Sequence, residues 1–200
     1  MSRKLTLDDI ADARAYERER ADFRSRVIEV KRKRRVHVGT VITLMFENRD
    51  TVRLQIQEMA RVEKLLTDDA VQTELDIYNS LIPEPGQLCA TLFIELTSDE
   101  QMREWLSRLV GIERSFLLHL ADGSEVRCTP EAQHEEQLTR QDATAAVHYL
   151  AWEFTPDQVA TLASGPVLLV CDHAAYLEEI ALSGETVAEL LADLRPVMPA

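Results

Sequence analysis

Between Phe46 and Leu66 the chain reads FENRDTVRLQIQEMARVEKLL, and polar side chains crowd into it: Glu47, Asn48, Arg49, Asp50, Arg53, Gln55, Gln57, Glu58, Arg61 and Glu63. Carboxylates set among arginines and amides can hold and move protons, clamp an anion, or dock a partner. A helix starting at Asp50 places Val52, Ile56, Met59 and Leu66 on one stripe. Gln55, Glu58 and Glu63 then border it, with Arg53, Gln57, Arg61 and Lys64 further round. Asp50 is the expected N-cap, because its carboxylate can accept from free first-turn amides. Thr51 to Gln57 also alternates apolar and polar, so a strand leading into a shorter helix is the competing reading. The helical propensity of Gln-Glu-Met-Ala-Arg favours the helix. Glu58 and Arg61 lie roughly 14–18 Å along from Arg49 at a rise of about 1.5 Å per residue. No single small ligand spans the set, whereas an elongated pocket or a partner surface can.

Two histidines extend the chemistry. His148 lies in AVHYLAWEF, where a strand puts it on one face with Leu150, Trp152 and Phe154. His173 follows an apolar run and Asp172. Two histidines with a carboxylate from Glu47, Glu58 or Glu63 would suffice for zinc or non-haem iron. No local spacing binds them together, so the plainer expectation is a hydrogen-bonded core His148 and a turn-capping His173. His37, His119 and His134 stand apart from any cluster. Cys89, Cys128 and Cys171 are scattered, with no CxxC pair and no resolving cysteine nearby. They read as inert core thiols in a reducing cytoplasm, with no cofactor called for. Phosphate loops, GxSxG and HExxH are absent, and Glu-x-x-His occurs once, at Glu131 to His134, where a di-iron bundle needs it on two helices. Whether the protein is an enzyme stays open on these residues.

The elements that must position these groups follow from pattern. The 200 residues are 46% apolar, enough for a packed core. No apolar run reaches the roughly 18 residues of a membrane span, and the N-terminus carries acids and lacks an apolar signal core. Charge is uneven: residues 1–35 carry a net +5, whereas the rest of the chain carries −18 of the total −13. So acidic a body repels nucleic acid and anionic lipid, and neither is expected as a partner. The run from Lys31 to Arg35 reads as the solvated, dipole-favoured end of a helix.

Thr6-Leu-Asp-Asp9 resembles a helix start, and one long helix or two broken near Ala21-Asp22 follow. Val36 to Glu47 reads as a strand with Gly39 as a bulge. Thr67 opens a helix that stops before Pro83 and Pro85-Gly86. Leu88 to Leu96 is a nearly continuous apolar run, expected to be a central strand buried on both faces. Ser98 caps a helix ending near Gly111, and Phe116 to Cys128 folds as a hairpin at Asp122-Gly123. Strands at Ala146–Phe154, Val167–Cys171 and Tyr176–Leu182 alternate with helices capped by Thr155 and Ser183. The polar stretch 130–142 is an exposed loop or weak internal boundary. The whole predicts one compact α+β (mixed α/β) domain over 1–200, a mixed sheet with flanking helices.

KRKRRVHVGTVITLMFENRDTVRLQIQEMARVEK, ELDIYNSLIPEPGQLCATLFIEL, LVGIE and AVHYLAWEF together resemble a family of bacterial proteins, domain of unknown function 3501. The similarity runs from Leu7 to about Leu194. Matching positions are Glu47, Asn48, Arg49, Thr51, Gln55, Glu58, Met59, Arg61, Glu63, Tyr78, Asn79, Pro83, His148 and His173. Trp152 stands where members commonly carry arginine; if that arginine serves an anion, this chain lacks the contact. The resemblance implies no activity. Genes of the family typically lie beside those for rubrerythrin and a heterodisulfide-reductase-like iron–sulfur protein. That implies an accessory or partner role in peroxide handling or electron transfer, with a rubrerythrin-like or iron–sulfur protein as partner. The leading expectation is an accessory protein docking through residues 47–63. The alternative is a metal-dependent enzyme using His148, His173 and Glu58.

Overall fold

The computed structural model describes residues 3–131 and 143–195, so most of the stretch 130–142, with His134, lies outside the described residues. Thr6 caps a short 3-10 turn, Leu7–Asp9, through its amide and hydroxyl on Asp9. The first long helix starts later, where the Asp12 carboxylate accepts from the amides of Arg14 and Ala15 at 2.9 and 2.8 Å. This helix, α1 (Ala13–Arg34), runs unbroken through Ala21-Asp22, where neither Gly nor Pro interrupts it.

The segment expected as one strand with a bulge is a hairpin, β1 (Arg35–Val38) and β2 (Ile42–Glu47). Gly39 makes its turn at φ 63, where a Cβ would sit 2.5 Å from Tyr176 Oη. Asn48, not Asp50, caps α2 (Arg49–Glu63): its side chain accepts from Thr51 N, while Thr51 Oγ1 accepts from Asn48 N. Then come α3 (Asp68–Tyr78), β3 (Gln87–Ile94), α4 (Asp99–Arg108), β4 (Phe116–His119), β5 (Glu125–Arg127) and β6 (Thr129–Pro130). After the undescribed stretch follow β7 (Val147–Glu153), α5 (Pro156–Leu162), β8 (Leu168–His173), β9 (Tyr176–Ala181) and α6 (Gly184–Leu194).

The class is α+β as expected, but among the described residues two sheets stand in place of one mixed sheet, and every pairing in them is antiparallel. The first has order β1-β2-β3-β7-β6 and the second β5-β4-β8-β9. Only Cys128 separates β5 from β6, so one extended stretch passes from sheet to sheet. At the opposite edges Tyr176 Oη on β9 donates to Val38 O at the end of β1 at 2.7 Å. Leu44, Phe46, Leu88, Leu92, Leu150 and Trp152 pack against Leu118, Leu169 and Cys171 in the interior between the sheets. One end is closed by α4, through Trp105 on Tyr176 and Leu106 O on Thr144 N. At the other end Leu194 O of α6 accepts from Gly86 N, and Leu190 enters the core. The outer face of the first sheet carries α1, α2 and α3. Alternation therefore turns Phe46, Ala90 and Leu150 inward and Glu47, Cys89, Thr91 and Tyr149 towards the helices. β3 lies between β2 and β7 with both faces covered, as its apolar run predicts. No helix among the described residues is long and apolar enough to cross a membrane.

Candidate functional site

Glu47 ends β2 and is 3% exposed, held under the first turn of α2. Its carboxyl oxygens accept from two hydroxyls, Thr51 Oγ1 at 2.5 Å and Thr91 Oγ1 at 2.7 Å. Strand β3 supplies one threonine and α2 the other, so the carboxyl fastens the helix start to the sheet. Buried polar atoms satisfied in this way stiffen a fold and present no free group to a substrate.

The remaining side chains of the central segment turn towards α1 and the N-terminal arm. Asn48 is spent as the cap. Arg49 reaches Asp9 Oδ1 at 2.5 Å and Arg3 O at 3.2 Å. Arg53 donates to Asp9 O and Glu19 and covers the Phe23 ring at 4.5 Å. Gln57 brackets the Ala11 peptide, accepting from its N–H and donating to its carbonyl. Glu58 takes a two-pronged contact from Arg20, at 2.8 and 2.9 Å, and the Tyr16 hydroxyl at 2.6 Å. Arg61 pairs with Glu17. The Arg20 hydrogen bonds, outweighing desolvation, hold the Glu58 carboxyl at about 2. Burial, with Glu58 next in effect, pushes the Tyr16 phenol well above its usual range. Gln55 is half-buried and Glu63 exposed. Glu63 adds to the desolvation that raises the Glu74 carboxyl. A cleft of about 170 Å³ lies between arm, α1, α2 and α3, but its Tyr16, Gln57 and Arg61 are all already bonded.

The histidines are placed elsewhere. His148 is 2% exposed on the inner face of β7, the face opposite to Glu47. Its Nε2 lies 2.7 Å from Thr144 Oγ1 and 2.9 Å from Ala145 O. Burial pushes its pKa below the ordinary value, with the Glu113 carboxyl acting weakly the other way. His173 ends β8 in the second sheet, its Nε2 on Val110 O and its Nδ1 accepting from Ala175 N. Neither ring is bonded to Glu47, Glu58 or Glu63. Among the described residues no three His, Cys, Asp or Glu side chains gather as a metal would require. The ligand set expected from His148, His173 and Glu58 is not brought together: His148 faces the inner side of the first sheet, Glu58 sits on α2 over its outer side, and His173 belongs to the second sheet. Trp152 is fully buried against Phe46, its indole N–H without a partner among the described residues.

All three thiols are buried and unpaired. Burial raises Cys89 and Cys128 to about 12 and Cys171 to about 11, which leaves little thiolate at neutral pH.

The basic run is more than a solvated helix end. Arg34 is 1% exposed and bonds Asp193 Oδ2 at 2.6 Å and Glu189 O at 3.1 Å. Lys33 pairs with Glu189 and Glu185, and Arg32 with Glu185. Glu185, Glu189 and Asp193 recur at i, i+4 and i+8 on one face of α6, a stripe whose spacing is readable in the sequence. Nothing local in the sequence ties the stripe to its cations, which lie some 150 residues away.

The model of the family described as "Protein of unknown function (DUF3501)" matches residues 4–194. The chain belongs to the DUF3501 family. This DUF3501 protein is similar to a crystal structure of a protein of unknown function from Burkholderia pseudomallei K96243. They share 36% identity and a TM-score of 0.87, over 96% of this chain and 99% of that one. No curated protein matches it.

Proposed function

We propose that this DUF3501 protein is an accessory protein that binds a partner and runs no reaction of its own. The observation that carries the reading is where the central charges go. Arg49, Arg53, Gln57, Glu58 and Arg61 each close on α1 or the N-terminal arm, leaving no open acid–base pair. Docking through the middle of that segment is set aside for the same reason, since the chain itself occupies those groups. The raised thiols add support, because a protein offering no reactive thiolate serves redox chemistry by assembly. The partner we propose is a rubrerythrin-like or iron–sulfur redox protein of the cytoplasm, the class implied by the gene neighbours of the family.

Sedimentation velocity of the purified chain with each such protein, at physiological salt, tests this. A complex at micromolar concentrations supports it. Failure with both proteins overturns the partner class. A catalytic activity of the chain alone, lost in Glu58→Gln while folding survives, overturns the accessory reading itself.

A further inference from the structure

We propose that the partner docks in the basic groove between the C-terminal half of α1 and β1, and that it brings a short acidic segment carrying an apolar residue. This deepens the accessory reading and rests on it. The groove, about 440 Å³, is lined by Ile28, Lys31, Arg32, Arg35 and His37. Arg24, Ile28 and Lys31 of α1, with Arg35 just past its last turn, recur at spacings of four, three and four, one stripe beside the buried Phe23, Val27 and Arg34.

Of the neighbouring cations on this helix, Lys33 and Arg34 are taken by α6 and Arg32 by Glu29 and Glu185, while Arg26 lies over the Phe23 ring. Among the described residues Arg24, Lys31 and Arg35 have no acidic partner, although the chain holds 35 Asp and Glu. His37 spends Nδ1 on Thr43 Oγ1 at 3.0 Å. Ile28, at 48% exposure, stands between these cations as an unpartnered apolar contact.

The shape selects the occupant. From Arg24 to Arg35 the stripe runs roughly 16 Å, eleven residues at about 1.5 Å each. A single small anion covers a fraction of that, whereas about five residues of extended chain at ~3.3 Å each match it. Carboxylates would face Arg24, Lys31 and Arg35, and an apolar side chain would cover Ile28. A long polyanion fits less well. Its outlying phosphates run past the stripe onto a body carrying −18.

The probe is a labelled ten-residue peptide of Asp and Glu around a central Leu, followed by fluorescence anisotropy. A Gln-for-acid version and a single-stranded ten-nucleotide oligomer run beside it. We expect the acidic peptide to bind more tightly than either, with affinity falling as salt rises. Lys31→Glu with Arg35→Glu should weaken it by about tenfold or more, at roughly a tenfold loss per 1.4 kcal/mol. Ile28→Asn should weaken it less. Circular dichroism checks folding, and Lys31→Gln with Arg35→Gln replaces the reversal if that does not fold. Equal binding by native and variant chains overturns the proposal, as does tighter binding of the oligonucleotide. The redox-protein arm separates the two readings. A partner bound equally by native and charge-reversed chains removes this surface and leaves the accessory role standing. No binding by the native chain removes the redox-protein class as partner, and the peptide titration then decides this surface on its own.

Discussion

Arg34 Nη1 lies 2.6 Å from Asp193 Oδ2, joining the last turn of α1 to the last turn of α6 across 159 residues of sequence. Both groups are buried, and burial raises the Asp193 carboxyl even though Arg34 pulls it down. Breaking such a pair leaves one group buried and alone. We expect Arg34→Ala to cost about 3–5 kcal/mol in urea unfolding, and Asp193→Asn somewhat less. Arg34→Met with Asp193→Leu should recover much of the loss, since an apolar pair of similar size leaves no stranded charge. A double variant as unstable as Arg34→Ala would show that the contact sets more than stability.

Glu58 titrates at about 2 in the folded protein, against an ordinary 4.5. Its contribution is therefore complete above pH 4.5 and is lost as pH falls towards 2. Partial exposure and solvent screening reduce it, so Glu58→Gln should cost about 1–2 kcal/mol at pH 7. Stability curves of native and variant chains should converge between pH 4.5 and 2. Parallel curves through that window would mean that Arg20 and Tyr16 do not hold the carboxylate in solution.

Neither contact is legible in the sequence, though much of the fold is. The apolar run of β3 gives a central strand because burial on both faces demands it. Ser98, Thr155 and Ser183 mark their helix starts because a hydroxyl at the N-cap satisfies free amides. Gly39 misleads: the β-branched run around it conceals a turn that only a positive φ and the nearby Tyr176 hydroxyl explain. The polar segment is visible as a segment, yet its partners Tyr16, Arg20, Asp9 and Glu17 lie 40 or so residues earlier. No periodicity links them. Local patterns report faces of elements, and contacts between elements belong to topology.

Thiol chemistry supplies the next expectation. With burial raising Cys89 and Cys128 to about 12 and Cys171 to about 11, a disulfide reagent at pH 8 should label the native chain slowly. Labelling should be immediate and threefold in urea. The triple Cys→Ala chain should keep its fold and its partner binding, losing about 1 kcal/mol per site to small cavities. Fast native labelling of one cysteine would mark it as reactive.

His148 gives the pH signature of the interior. Its Nε2 is within bonding distance of both Thr144 Oγ1 and Ala145 O, and a carbonyl only accepts, so Nε2 carries the proton and donates to both. Burial disfavours a second proton, which lowers the folded pKa beneath its ordinary 6.5. The unfolded chain takes up that proton first. The group's contribution is thus full above pH 6.5 and is lost as pH falls below it, at up to about 1.4 kcal/mol per pH unit. His148→Gln, which keeps a donor for the Ala145 carbonyl, should flatten the stability curve between pH 6.5 and 5 relative to the native chain. Metal analysis on the same samples adds an independent reading. A hydrogen-bonded core histidine predicts equal metal content for native, His148→Ala and Glu58→Gln chains. A stoichiometric metal lost in either variant would restore a ligand role for His148 or Glu58.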